Sequence, residues 1–463
     1  MNIAAVIVNW NKKADVLDLL GDLSGVRTPS FDTFVVDNAS TDGSPESIRS
    51  NFPDVNIILN KQNLGGTGGF NTGINHVLHL GKYDYIWLLD NDVKITESTL
   101  SELVTAIQSD KQIGMVGSHV KDIDNREMTV EIGANIRWDI IGTIPVYRNT
   151  MTEIENIIPV DYVAICSALI HVKALKEVGI MDDRLFLFWD DMEWGICFKG
   201  HGYIVVAAPK SIVYHGSFTE RERGPATNYY YGVRNPLLVY TKHTSFFRRA
   251  KIFYCYLRSQ SKIYLFLKKQ SKIFEAGLMY KAFSDYMNNQ WGKLSIHNVA
   301  QSNAPKTTYE IRTGEHDPFK KILISSIGIT SEECMTVINC LKHKYPEAEM
   351  TILTRDDRNE YFKGYKMHIL NRQKMSDLSY LIKESIAIKK QNFDAIASVI
   401  PTPFMYLGKR SVMFNKKGKI ISSTDTNAFS IIKILFLICY SEIMALLALP
   451  FLLYKSLQYK KST

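Results

Sequence analysis

Tyr85-Ile86-Trp87-Leu88-Leu89-Asp90-Asn91-Asp92 is the stretch on which the reading of this chain turns. A short apolar, β-favouring run stops abruptly at three polar residues, which reads as a buried strand and its end. Residues two apart on an extended chain point to the same side, so Asp90 and Asp92 leave the strand facing one way. Two carboxylates so placed suit Mn²⁺ or Mg²⁺, hard cations that take oxygen ligands. The competing explanation is an ordinary turn, since Asp and Asn are common where strands stop.

Working outward, AAVIV (4–8) and TFVV (33–36) are two more such runs, ending in Asn9 and Asp37. A helical stretch, Ala14 to Leu23, separates them. Strand, helix, strand in alternation predicts a parallel α/β sheet, and in such sheets ligands bind beyond the carboxyl ends of the strands. Asp37, in Asp37-Asn38-Ala39-Ser40-Thr41-Asp42-Gly43-Ser44, is placed to accept hydrogen bonds from a nucleoside. An Asx turn and helix cap at Asp42-Gly43-Ser44 would explain the same residues. Asn63-Leu64-Gly65-Gly66-Thr67-Gly68-Gly69-Phe70-Asn71-Thr72-Gly73 reads as a glycine-rich loop whose backbone can approach a phosphate. It is not the dinucleotide fingerprint, because Asn71 stands where the third glycine belongs. A flexible loop is the alternative.

Farther along, Trp189-Asp190-Asp191-Met192-Glu193 sits among Phe186, Leu187, Phe188 and Trp194. Adjacent carboxylates repel, which raises the pKa of one of them, and such a group can serve as a general base. A surface acidic patch is the alternative, and the aromatic flanks argue against full solvation. His215 follows the apolar runs IVVAAP and Ile212-Val213-Tyr214; a single histidine is more often structural, but two acids want a third ligand.

The chain of 463 residues exceeds one domain of roughly 100–200 residues. It is 46% hydrophobic and 22% charged, as a globular chain is. Its six cysteines show no zinc spacing and read as reduced core residues. The net charge of +8 suits phosphorylated substrates, anionic membranes or nucleic acid. Much of it lies in 242–292, where Arg248, Lys251 and Arg258 alternate with Phe246, Phe247 and Tyr256. That helical segment suits an anionic bilayer surface, or packs as a solvated face on its neighbour. Residues 293–318 read as a linker. A second, small Rossmann-like α/β domain occupies 319–429: KKILISSIG, Glu332–Lys344, MTILT and Phe393–Ile400 are strand, helix, strand and strand. An apolar helix fills 430–463. It nears bilayer length, but Glu442 makes a costly span, so a buried or interfacial helix is equally open. Residues 1–241, which hold the strand-end acids, are expected to form the catalytic part.

VIVNWN, VVDNASTDGS, NLGGTGGFNTG, LLDNDV, FWDDMEWG and VYH, in this order along roughly residues 1–300, resemble the family 2 nucleotide-sugar glycosyltransferases of the GT-A fold. NYYYGVRNPLLV (228–239) is similar to the cell-wall members. The resemblance implies that Asn9, Asp37, Asn63, Gly65, Gly66, Asp90 and Trp189 bind the nucleotide-sugar. It implies that Asp90 and Asp92 form the metal-binding DxD motif, with His215 as third ligand. Asp191 would be the base, with Asp190 and Trp189 positioning the acceptor sugar. The loop and the Trp-Asp-Asp sequence look most like the galactofuranosyl branch, whose donor is UDP-galactofuranose. That branch often has Asp in the middle of the metal motif, and Asn91 stands there; rhamnosyltransferases using a dTDP donor share most of the motifs.

The expected reaction is inverting transfer of a sugar to a lipid-linked glycan at the cytoplasmic face of the cell membrane. It would use a divalent cation and peripheral contact with an anionic bilayer, and an oligomer is compatible with it. A nucleotidyltransferase or sugar-nucleotide-binding protein is a reading of another class, but VNWNKKAD after the first strand has no glycine. Nucleic-acid binding would explain none of the acidic or glycine motifs and is not expected.

Overall fold

A computed structural model of the chain describes residues 1–146, 155–216, 227–269, 272–295, 319–327, 331–355, 362–371, 378–398, 410–414, 420–425 and 430–459. Most of the linker read at 293–318 lies outside the described residues, as do residues 460–463 of the expected apolar helix. The chain divides into two compact units. The first comprises Met1–Tyr256, Lys272–Gln301 and Leu449–Thr463; the second comprises Leu257–Ser271 and Ser302–Ala448.

In the first unit, strands β1 (Ile3–Asn9), β2 (Asp32–Asp37), β3 (Asn56–Leu59) and β4 (Tyr85–Asp90) are all parallel, in the order β3-β2-β1-β4. A short β5 (Lys94–Ile95) follows, then β6 (Ile113–Asp122), β7 (Thr129–Glu131), the small hairpin of β8 (Ala134–Ile136) and β9 (Thr143–Pro145), and β10 (Ile158–Val160). Strand β11 (Ser167–His171) runs antiparallel between β4 and β6, and β12 (Ile204–His215) lies parallel to β6 on its far side. The result is a mixed sheet of ten strands in an α/β arrangement.

The strand period of two builds both faces of the core. Ile3, Ala5 and Ile7 of β1 pack toward α1 (Lys13–Gly25) and α4 (Thr99–Gln108). Ala4 and Val6 pack toward α3 (Gly65–Leu80), which follows α2 (Ser44–Asn51), and toward the later helix of Trp194 and Phe198. Each such fully buried Val, Leu or Ile contributes about 1.5–3 kcal/mol.

The glycine-rich segment corrects its sequence reading. Apart from Asn63 and Leu64 it is helix α3, not a loop, and its glycines let helix and sheet touch. A Cβ at Gly73 would lie 2.3 Å from Val6 and 3.0 Å from Val36, and one at Gly69 would lie 2.6 Å from Val8.

Helices α5 (Val172–Val178) and α6 (Asp190–Gly200) lie between β11 and β12 in sequence. Then come α7 (Gly232–His243), α8 (Phe246–Lys269) and α9 (Ile273–Met287), so the basic segment is two helices. Its cations do not form one solvated face. Arg248 and Lys251 are exposed, whereas Arg249 is buried, donating to the carbonyls of Thr241, Thr244 and Ser456.

The second unit holds β13 (Lys321–Ser325), α10 (Ser331–Lys344), β14 (Glu349–Arg355), β15 (Lys366–Leu370), α11 (Leu378–Lys390), β16 (Ala395–Ser398), β17 (Arg410–Phe414) and β18 (Ile420–Asp425). Its order is β15-β14-β13-β16-β17-β18, parallel but for the last strand. Ile322, Ile324, Val337, Ile338 and Ile352 form its core.

The chain ends in α12 (Ser430–Tyr459), of which Tyr440–Gln458 is long and apolar enough to cross a membrane by length and composition. Ser441, Ala445, Leu452 and Ser456 are buried on one side. Ile443, Leu446, Leu447, Phe451, Tyr454 and Leu457 form an exposed stripe on the opposite side, a separation that 3.6 residues per turn dictates. Glu442 is paired with Arg258.

Candidate active site at the carboxyl ends of the strands

Register places the predicted residues side by side. Asn9 pairs with Asp37 across β1 and β2, and Val8 pairs with Asp90 across β1 and β4. Asn9 is fully buried; its amide donates to Asp37 at 3.3 Å, and its carbonyl accepts from the Asn91 amide at 2.8 Å. The middle residue of Asp90-Asn91-Asp92 is therefore tied back to the sheet, leaving the two carboxylates to share a side. Asp37 is 2% exposed and accepts from the Ser40 backbone amide at 2.8 Å, so much of its acceptor capacity serves its own turn. The Asx turn read at Asp42 is present: its carboxylate accepts from the Ser44 amide at 3.1 Å.

His215 arrives from a strand far away in sequence. Two register shifts, one between Ala208 and Ile212, carry β12 past β6, and Val213 and Tyr214 pair with Ile95 and Lys94 of β5. This hairpin-like closure sets the His215 Nε2 3.2 Å from Asp92 Oδ1 and 3.9 Å from Asp90 Oδ2. One ligand atom from each of the three residues falls within 4.8 Å of the others. His215 is fully buried while Asp90 and Asp92 are part-exposed. Two carboxylates and one imidazole, open on the carboxylate side, fit Mn²⁺ or Mg²⁺ with room for further oxygen ligands.

Asp190 and Asp191 open helix α6, preceded by a strap of unusual backbone. Phe186, Phe188 and Trp189 have φ of 62°, 66° and 70°. The left-handed region costs a non-glycine residue roughly 1–2 kcal/mol each, so the strap is held by its surroundings. Asp190 is buried and accepts from the Thr67 hydroxyl at 2.7 Å. It is tied to α3 rather than turned outward toward an acceptor. Burial raises its pKa, partly opposed by the Thr67 bond. Asp191 accepts from the Met192 amide at 2.7 Å. Burial, and then the charges of Asp190 and Glu131, push its pKa well above the usual carboxylate range; Asp90 adds to this.

Gly65 and Asn63 belong to the seat of that strap. Gly65 has φ +77°, and a Cβ there would stand 2.1 Å from the Phe186 carbonyl oxygen. The Asn63 side chain caps the turn by accepting from the Gly65 amide at 2.8 Å. A Cβ at Gly66 would stand 3.7 Å from the Leu187 side chain, and Trp189 packs edge-on against Tyr240.

A second cluster, Glu193, Cys197 and His243, also has metal-ligand residue types. The Glu193 Oε1 already holds Lys242 Nζ at 2.6 Å and His243 Nε2 at 2.8 Å, and burial pushes the Cys197 thiol up to about 12. It is an ionic lock between α6 and α7, not an ion site. Sequence reasoning missed Thr67, Glu131 and this lock. Thr67 lay inside the quoted glycine run, but only the fold shows what it touches.

Residues 4–179 match the model of the Glycosyl transferase family 2. The chain is 22% identical over 249 residues to an N-acetylglucosaminyl-diphospho-decaprenol L-rhamnosyltransferase of Mycobacterium tuberculosis, covering 49% of this chain and 80% of that one. It is 22% identical over 267 residues to the galactofuranosyltransferase GlfT2 of the same organism, covering 52% and 41%. Among solved structures, the mannosyltransferase PcManGT of Pyrobaculum calidifontis, in complex with GDP-Man and Mn²⁺, aligns at 16% identity with a TM-score of 0.38 over 52% of this chain and 63% of that one, a likeness too low to carry weight. The family match coincides with the sheet and the strand-end acids described above: residues 4–179 of this chain form a domain of the Glycosyl transferase family 2 type.

Proposed function

We propose that the chain is an inverting, metal-dependent transferase moving galactofuranose from UDP-galactofuranose onto a lipid-linked cell-surface glycan. The observation that carries this reading is the convergence of Asp90, Asp92 and His215 beside Asp191. The three would hold Mn²⁺ or Mg²⁺, which when bound neutralises the donor diphosphate and the charge growing on the leaving nucleotide. Asn9 and Asp37 form the floor on which the nucleoside would rest. Asp191 takes the proton of an acceptor hydroxyl while that oxygen bonds to the anomeric carbon. The bond from that carbon to the nucleotide oxygen breaks on the opposite face, inverting the centre without a covalent enzyme intermediate. Its raised pKa makes Asp191 a stronger base than an ordinary carboxylate.

A dTDP-rhamnose donor is the second reading, favoured by the likeness to a rhamnosyltransferase. Hydrolysis and transfer measured with UDP-, dTDP- and GDP-sugars, with Mn²⁺, Mg²⁺ or chelator, separate the two. UDP-galactofuranose is expected to be consumed only with a divalent cation. Preference for dTDP-rhamnose would replace the donor assignment, and full activity in chelator would remove the metal.

The acceptor side supports a place on the cytoplasmic face of the membrane. The exposed stripe of α12 is wide and apolar while its other side is packed, which suits a helix lying in the bilayer interface rather than crossing it. Exposed Arg248 and Lys251, next to Phe247 at 85% exposure, suit anionic headgroups. The whole chain should float with phosphatidylglycerol vesicles, and Leu447→Glu with Phe451→Glu should release it. Equal flotation of the double variant would refute this placement.

A further inference from the structure

Two adjacent side chains of α7 grip the strap that precedes the acids of α6. The Asn235 amide donates to the carbonyls of Leu185, Leu187 and Phe188 at 2.9, 2.8 and 2.9 Å. The Arg234 Nη2 donates to the carbonyls of Arg184 and Leu185 at 3.2 and 3.4 Å. Arg234 Nε donates to the Asn235 side-chain oxygen at 3.0 Å, which fixes the amide so that its NH₂ faces the strap. Four carbonyls of a five-residue stretch are thereby turned to one side and satisfied.

The anchor itself is elaborate for a mere packing element. Arg234 is fully buried, as is Asn235. Its charge is met by the Gly292 carbonyl at 3.0 Å, the Tyr230 hydroxyl at 3.0 Å and the ring faces of Tyr230, Tyr231 and Trp291. The Tyr230 hydroxyl in turn donates to Asp285 at 2.6 Å. Burying a guanidinium costs more than burying an apolar chain of the same size, so its retention asks for a geometric role. Such a role is at hand: the strap is strained at Phe186, Phe188 and Trp189, and relaxing Trp189 to the right-handed region would swing the first turn of α6, and Asp191 with it.

We propose that Arg234 and Asn235 are positioning residues: they hold the left-handed strap 185–189 and thereby set where Asp190 and Asp191 point. The proposal rests on the transfer reading only for its consequence in turnover, and its structural content stands apart. Asn235→Asp keeps the shape and the acceptor for Arg234 but loses the donors and sets a carboxylate among carbonyls. In the full chain, amide exchange of the segment 184–194 should quicken about tenfold, while that of the core strand 85–90 stays within about twofold. With the best donor of the nucleotide-sugar panel, turnover should fall about 100-fold and the donor KM should move no more than about threefold. Asn235→Ser, which withdraws the grip without adding charge, should follow in the same direction and covers the case in which the aspartate does not fold.

Unchanged exchange of 184–194, or equal quickening in strand 85–90, would overturn the clamp. So would wild-type turnover in a variant whose parent is active. If the parent consumes no sugar nucleotide, the transfer reading fails, and the exchange measurement alone decides the clamp.

Discussion

The two large sheets among the described residues share a plan and differ in chemistry. Each contains four parallel strands in the same order, β3-β2-β1-β4 in one and β15-β14-β13-β16 in the other. In the first, the carboxyl ends present Asn9, Asp37 and Asp90; in the second, the equivalent central ends present Ser325 and Ser398, both buried. The second sheet then continues with parallel β17, whereas the first reverses at β11 and returns through the bent β12 to deliver His215. A parallel module supplies a place for a ligand, but the acids at its ends and one irregular strand make that place a candidate centre for sugar transfer.

The contrast breaks most sharply at Asp191. Asp191→Asn should lower transfer about 10²–10⁴-fold with nucleotide binding nearly intact, measured by steady-state rates and by titration of UDP with Mn²⁺. The same variant should melt higher at neutral pH. Its folded pKa is raised above the unfolded value, so ionisation at neutral pH opposes folding, and that opposition fades as pH falls through the folded pKa. An amide removes it. Wild-type rates in this variant would move the base elsewhere.

Glu131→Gln is a gentler probe. The acid limb of the rate profile should lie above the range of a free carboxylate, about 3.9. Removing the neighbouring charge lets Asp191 lose its proton at lower pH, so the limb should shift down while the plateau rate changes no more than about threefold. A limb that stays in place would show that another group controls it. Smallest of all, Ser326→Ala at the carboxyl end of β13, where the serine hydroxyl donates to the Leu353 carbonyl at 3.1 Å, should leave transfer within about twofold. A large loss there would mean that the second sheet takes part in catalysis.

Much of the first sheet could be read from residues alone, because β1, β2 and β4 are compact apolar runs that end in acids or amides. Asp90, Asp92 and His215 were each visible, and the fold brings them together. What the sequence hid were relations across space. The glycines of α3 signalled close approach, and the partners the fold gives them are the sheet and the strap. Asn235 sits in a helix and looks like any polar residue until the carbonyls of Leu185, Leu187 and Phe188 are seen around it. In the second unit, Lys366–Leu370 and Arg410–Phe414 escaped notice because they are short and mix charge with apolar residues, as edge and near-edge strands do.

Where α3 meets the sheet at Gly69 and Gly73, bare backbone rests on valine methyls, so no rotamer is available to absorb a disturbance. The tip of that helix inherits the stiffness of the strands beneath it. An alanine at position 73 would act as a shim under a rigid rod, and the lift would be felt at Thr67, less than two turns away, and through it at the first acid of α6. A single methyl group deep in the hydrocarbon interior would thus detune chemistry with which it has no contact.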